Sequence, residues 1–181
     1  DQLMKNERQN DRKFRVLILY PNLYMMLVPS LAVGIFTRLL SDLDCDVDLF
    51  ETTQYFDSDG SSPQNRVKFA QARAFDYEKD LGIDIKHDNM FIDFRKKVLD
   101  FEPDLIVAST VEDVFLQAVS LLETIEDLEI PHLVGGVFPT AAPVRCFDFP
   151  VITHIARGEG ESIVTEVCKR LKQGDPIDNV P

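Results

Sequence analysis

No stretch of the 181-residue sequence reaches the ~18 consecutive apolar residues that a membrane-spanning helix requires, so neither such a helix nor a membrane partner is expected. Basic charge is also short. Lys and Arg number 19 against 31 Asp and Glu, for a formal net charge of −12. A surface that tracks phosphates needs clustered Lys and Arg, and none is visible, so no nucleic-acid partner is expected. The surplus carboxylates read as a solubility feature. Cysteine is scarce and scattered: Cys45, Cys146 and Cys168 are odd in number and far apart. That excludes a disulfide framework and the paired spacing of zinc ligands. It leaves three small, buried side chains in a reducing compartment. His87, His132 and His154 are equally dispersed, and no metal cluster follows from their spacing. Residues 1–13 have no apolar centre; they read as a solvated leader rather than a signal peptide, and a cytoplasmic location is expected.

Apolar residues make up 45% of the chain and charged residues 28%, ordinary for one globular domain with a sizeable core, expected here over residues 14–173. The run from Phe14 to Tyr20 is short and almost wholly apolar, as strands covered on both faces are. Pro21-Asn22 ends it. Ser30 is placed to cap a helix carrying Leu31, Phe36, Leu39, Leu40 and Leu43. A second strand, Asp46–Phe50, alternates polar and apolar and belongs nearer a sheet edge. A third spans Asp104–Ser109 and a fourth His132–Val134, with a helix from about Asp113 to Asp127 between them. Ile152–Ile155 supplies a fifth, and a last helix runs to about Lys172 before Gly174 and Pro176 break it. Strands alternating with helices predict an α/β fold: a doubly wound, five-stranded parallel sheet in the flavodoxin-like order 2-1-3-4-5. The stretch 51–103 is too long for a simple crossover. An extra helix is expected around Phe69, Ala72, Phe75 and Leu81, and another around Phe91, Phe94, Val98 and Leu99 leads into the third strand.

Open parallel sheets bind ligands outside the carboxyl ends of their strands, so four loops matter. The first, from Pro21 to Pro29, holds Leu23, Tyr24, Met25, Met26, Leu27 and Val28 and no glycine. A loop tip this apolar contacts a large flat ligand, another domain or its own core. The others are Ser109-Thr110-Val111-Glu112, Gly135-Gly136-Val137-Phe138-Pro139-Thr140 and Arg157-Gly158-Glu159-Gly160-Glu161. The glycine pair allows either a ligand's close approach or a tight turn made for its own sake. Several chemistries are excluded. Gly-x-Gly-x-x-Gly does not follow the first strand, and no P-loop is present. Pro21-Asn22 and Ser109-Thr110 stand where a phosphoacceptor domain needs acids. No Gly-x-Ser-x-Gly surrounds Ser109 or Ser162. Glu159 and Glu161 read as solvated carboxylates at a helix start.

In these loops the sequence resembles the cobalamin-binding domain that precedes the catalytic domain of radical S-adenosylmethionine (radical SAM) enzymes. The resembling segments are LILYPN, PSLAVGIFTRLL, EPDLIVAST, VGGVFPTAAP and RGEGES, in the family's order, covering Phe14 to Leu171. The pairing of Gly-Gly-x-x-Pro-Thr with a later Arg-Gly-Glu-Gly-Glu is the specific part. The resemblance implies that cobalamin's nucleotide tail enters at the sheet edge while the corrin lies over the loops. Ser109 and Thr110, with Val111 beside them, then face the tail. Gly135, Gly136, Val137, Phe138 and Thr140 line it. Gly158, Glu159 and Gly160 sit beside the ribose or base, and Asn22, Leu23, Tyr24, Met25 and Met26 underlie the corrin.

Two departures qualify what the resemblance implies. Methionine-synthase-like domains carry Asp-x-His-x-x-Gly after the first strand, and its histidine ligates cobalt. Here the stretch is Asn-Leu-Tyr-Met-Met-Leu. The resemblance to the radical SAM branch therefore implies cobalamin with no protein histidine on the metal. Radical SAM chemistry also needs three clustered cysteines for a 4Fe-4S cluster, which this spacing does not supply. The parent enzyme's S-adenosylmethionine and cluster are thus expected in a C-terminal radical SAM domain of the same polypeptide, with residues 174–181 resembling the linker towards it. By itself the chain is expected to bind rather than catalyse. The alternative from the same residues is a degenerate α/β interaction domain that no longer holds cobalamin.

Overall fold

The computed structural model describes residues 12–56, 76–178 and 180. Strand β1 (Phe14–Tyr20) has the limits its apolar run predicts. It is followed by α1 (Leu31–Asp42), whose N-cap Ser30 hydroxyl accepts the Val33 amide at 3.3 Å. Next come β2 (Cys45–Glu51), the short α2 (Tyr77–Leu81) and α3 (Met90–Phe101). Asn89 caps α3 by accepting the Phe91 and Ile92 amides. The chain continues through β3 (Leu105–Ser109), α4 (Glu112–Glu123), a 3-10 turn (Glu126–Leu128) and β4 (His132–Gly135). It ends with α5 (Val137–Ala141), α6 (Pro143–Cys146) and α7 (Gly160–Gln173). The expected helix around Phe69, Ala72 and Phe75 lies outside the described residues. Among the described residues, no helix is long and apolar enough to cross a membrane.

The sheet is parallel and four-stranded, in the order β2-β1-β3-β4. Val16 of β1 stands opposite Val47 on one side and Leu105 on the other. The expected fifth strand is a correction. Residues 152–155 occupy the right place beside β4 but make one isolated bridge, Val134 to Ile155. Two backbone bonds serve it: the Val134 amide donates to the His154 carbonyl and the Ala156 amide to Val134. The cause is local. Pro150 has no amide to donate, and the Ile152 amide is spent on Phe149 in the preceding turn. Gly158 then turns the chain away at φ 81°. Helix α4 also ends earlier than its apolar spacing suggests. The Arg95 guanidinium takes the Thr124 carbonyl and pairs with the Asp127 carboxylate at 2.6 Å, so the chain tightens there.

Side chains alternate across the sheet. Leu17, Leu19, Ile106 and Val134 face α3 and α4, where Phe50, Phe94, Phe115 and Tyr55 fill the layer. Val16, Ile18, Leu105, Val107 and Leu133 face α1 and α7, where Leu40, Ala156, Val164, Val167 and Cys168 pack. Among the described residues no aromatic one is fully buried in that second layer, although Phe14 and Phe36 pack at its margin. Large rings close the first face, whereas small side chains leave the second incompletely filled towards the carboxyl ends of the strands.

Candidate functional site

A cavity of about 330 Å³ opens where that second face runs out. Its floor is Val107, Ala108, Leu133 and Ala156, its walls are α1 (Leu31, Ala32, Ile35, Phe36) and Val164 of α7, and its rim is Ser109, Gly135, Gly136 and Gly158–Glu161. The volume lies at the small end of the range for organic ligands, and the lining is mainly apolar, as such sites are. The position, outside the carboxyl ends of parallel strands, is where an open α/β sheet binds its ligand.

Six residues expected at the site from sequence meet here: Ser109, Gly135, Gly136, Gly158, Glu159 and Gly160. Among the described residues the half-buried Ser109 hydroxyl has no hydrogen-bond partner, so it is available to a ligand. Helix α7 starts without a side-chain cap, which leaves its first-turn amides unspent at the same rim. Two glycines keep the cavity's shape. A Cβ on Gly136, whose φ is 107°, would lie 2.3 Å from the Thr110 carbonyl oxygen. A Cβ on Gly160 would lie 2.8 Å from the Phe36 ring.

Thr110 and Thr140 do not line the cavity. Thr110 is buried; its amide and hydroxyl donate to the Gly135 carbonyl at 2.8 and 3.2 Å. The Thr140 hydroxyl donates to the Gly136 carbonyl and accepts the Gly158 amide, at 2.8 and 2.9 Å. Both tie one rim loop to its neighbour. Val111 and Val137 are exposed at the starts of their helices, and Phe138 stacks on Phe115 in the opposite layer, with ring centroids 4.6 Å apart. These three are outside the cavity lining.

The loop after β1 divides into two parts. Tyr24 and Met25 are only 5% and 6% exposed, while Met26, Leu27 and Val28 are 40%, 46% and 65% exposed. The Tyr24 ring packs edge-on to Phe56 and Tyr77, and its burial pushes the phenol pKa up. Asn22 is spent on the loop itself: its amide nitrogen donates to Met26 and Thr53, and its carbonyl oxygen accepts the Leu23 amide. Met25 has φ 57°, held by its own amide donating to the Thr53 carbonyl. The loop is therefore rigidly seated, with its outer half presenting an apolar rim.

The walls carry little signal in the sequence: Leu31 and Phe36 belong to the helical apolar stripe with Leu39, Leu40 and Leu43, and Ala32 and Ile35 stand outside it, yet all four come together at the amino end of α1. Ala156 had no signal at all. None of the three histidines lines the cavity: His132 bonds the Ile130 and Val151 carbonyls, His154 faces Thr153 and Asp178, and His87 lies against Phe56. Among the described residues, no group of His, Cys, Asp and Glu is arranged to hold a metal ion.

No family model and no curated protein matches the sequence. Solved structures do share its fold. Radical S-adenosylmethionine methyltransferase TsrM from Kitasatospora setae, with tryptophan substrate and a SAM analogue bound, matches at TM-score 0.66 and 16% identity over 92% of this chain. The same protein with cobalamin and a 4Fe-4S cluster bound matches at TM-score 0.67 and 16% identity over 94%. The matched parts are 27% and 26% of those chains, so this chain spans about a quarter of their length.

Proposed function

We propose that this chain is a cobalamin-binding module serving a radical SAM enzyme, a methyltransferase or an enzyme of related radical chemistry. The observation that carries the reading is the convergence of Ser109, Gly135, Gly136 and Gly158–Gly160 on one apolar cavity. The fold around it is shared with TsrM, a protein solved with cobalamin bound.

The residues fit such a group. The narrow cavity takes the aromatic base of the nucleotide tail, removing apolar surface from water on both partners. Ser109 offers its free hydroxyl, and the first-turn amides of α7 offer donors to an anionic group. Thr110 and Thr140 position the rim loops through the bonds already described. Met26, Leu27 and Val28, with Leu31, are exposed apolar side chains that would give the corrin a shelf. Cobalamin, when bound, supplies a cobalt centre able to carry a methyl group. No histidine of this chain lines the cavity, so cobalamin would be held here without a protein imidazole on the metal. S-adenosylmethionine and the 4Fe-4S cluster belong to the C-terminal radical SAM domain of the same polypeptide.

The test is to mix the purified chain with hydroxocobalamin, desalt it and record the visible spectrum. A retained corrin spectrum, shifted from that of the free cofactor, is expected. A colourless protein, from both this chain and one extended through the following domain, would overturn the reading. Electron paramagnetic resonance of the cob(II)alamin complex should show no nitrogen superhyperfine splitting from a protein ligand. One observation favours a second reading: the exposed shelf from Met26 to Val28 also suits an interaction domain that has lost cobalamin. That reading predicts the colourless outcome.

A further inference from the structure

Cys45 and Cys168 are 123 residues apart in sequence, and the fold brings their Sγ atoms to 3.3 Å. Both are buried, one at the first residue of β2 and the other in the middle of α7. The contact is an S–H···S hydrogen bond, and a disulfide needs the sulfurs to come only about 1.3 Å closer. Lys172, one turn beyond Cys168, folds back over the pair, its ammonium donating to the Leu43 carbonyl at 2.5 Å. Cys146 stands apart in α6, its thiol turned to the Ala142 carbonyl.

We propose that Cys45 and Cys168 are a dithiol site that closes to a reversible disulfide when a peroxide reaches it. The Cys45 thiolate attacks one peroxide oxygen; the O–O bond breaks, and the leaving hydroxide takes up a proton to become water. Cys45 is left as a sulfenic acid. The Cys168 sulfur then attacks that of Cys45, the S–O bond breaks, and the departing hydroxide leaves as water with the Cys168 proton. Two thiols and one peroxide become one disulfide and two waters, with two electrons passing from sulfur to oxygen. Cys45 is the attacking sulfur because the Cys168 S–H and the Lys172 ammonium stabilise its thiolate against burial and Asp44, bringing its pKa down to about 7. Cys168 is held protonated by the same contact, by burial and by Asp104. The bond ties the middle of the helix that begins at the cavity rim to the edge strand. It is independent of whether the cavity holds cobalamin.

The experiment treats the folded chain with hydrogen peroxide, alkylates the remaining thiols after unfolding, and maps the peptides by mass spectrometry. A cross-linked pair containing Cys45 and Cys168, lighter by two hydrogen atoms and opened by dithiothreitol, is expected, with Cys146 alkylated. Its rate of formation should rise with pH through about 7. In Cys168→Ser, Cys45 should stop at the sulfenic acid and be trapped by dimedone, whereas Cys146→Ser should cross-link like the wild type. Recovery of Cys45 and Cys168 as free thiols, oxidation of either to a sulfinic acid without a cross-link, or a link through Cys146 would overturn the proposal. The wild-type map decides the matter even if a variant fails to fold.

Discussion

The two faces of the sheet use the same alternating strands and differ in what covers them. Towards α3 and α4, Phe50, Phe94 and Phe115 fill the layer, with Phe50 and Phe94 centroids 5.0 Å apart. Towards α1 and α7 the buried side chains are Leu, Val, Ile, Ala and Cys, and the 330 Å³ cavity is what they leave. One face is closed by aromatic rings and the other holds the cavity. The difference arises in the helices, since β1 and β3 offer similar aliphatic residues to both sides.

Phe94→Ala should have the largest effect on the fold, a loss of about 3–5 kcal/mol measured by urea unfolding. Protein that remains folded should still retain cobalamin, because Phe94 belongs to the opposite layer. A variant equally destabilised and colourless while folded would show that the faces are not separable. Gly136→Ala follows, at about 3 kcal/mol, since it adds a backbone clash to a left-handed φ. Gly158→Ala shares the left-handed φ but meets nothing within 4 Å, and should cost only about 1 kcal/mol. Equal losses at these two positions would remove the argument that Gly136 is required by close approach to Thr110. Ala32→Phe and Ser109→Leu should change stability least, by about 1 kcal/mol or less, while lowering cobalamin retention roughly tenfold or more by filling the cavity.

Much of this arrangement was legible in the sequence because its signals are local. The run Phe14–Tyr20 has no polar break except Arg15, whose side chain leaves the sheet end to bond the Phe101 carbonyl and pair with Glu102. Ser30 announces α1 with a hydroxyl at the right offset. Gly135-Gly136 and Gly158-Glu159-Gly160 both follow strand ends in the sequence, and the structure places both on one rim. What escaped depends on distant partners. The segment Ile152-Thr153-His154-Ile155 is enough to suggest a strand, but Pro150 and the turn to Ile152 leave room for one bridge. Nothing in residues 137–146 forecasts α5 and α6, because both are single turns, and α5 is seated through Phe138 on the distant Phe115. Cysteine spacing misled in the same way: 45 and 168 are remote along the chain, yet β2 and α7 set them side by side. The loop at Leu23–Val28 looked uniformly apolar, and only its packing on Phe56, Tyr77 and Thr53 separates an inner half from an outer one.

The account rests on the aromatic-poor face being the cobalamin face, and a paired titration of wild type and Ala32→Phe with hydroxocobalamin, followed by visible spectroscopy, tests it most directly. The wild type should show a saturable shift of the corrin bands, and the variant, equally folded by circular dichroism, should show little or none. A wild type without any shift, or a variant that binds as well as the wild type, would contradict it.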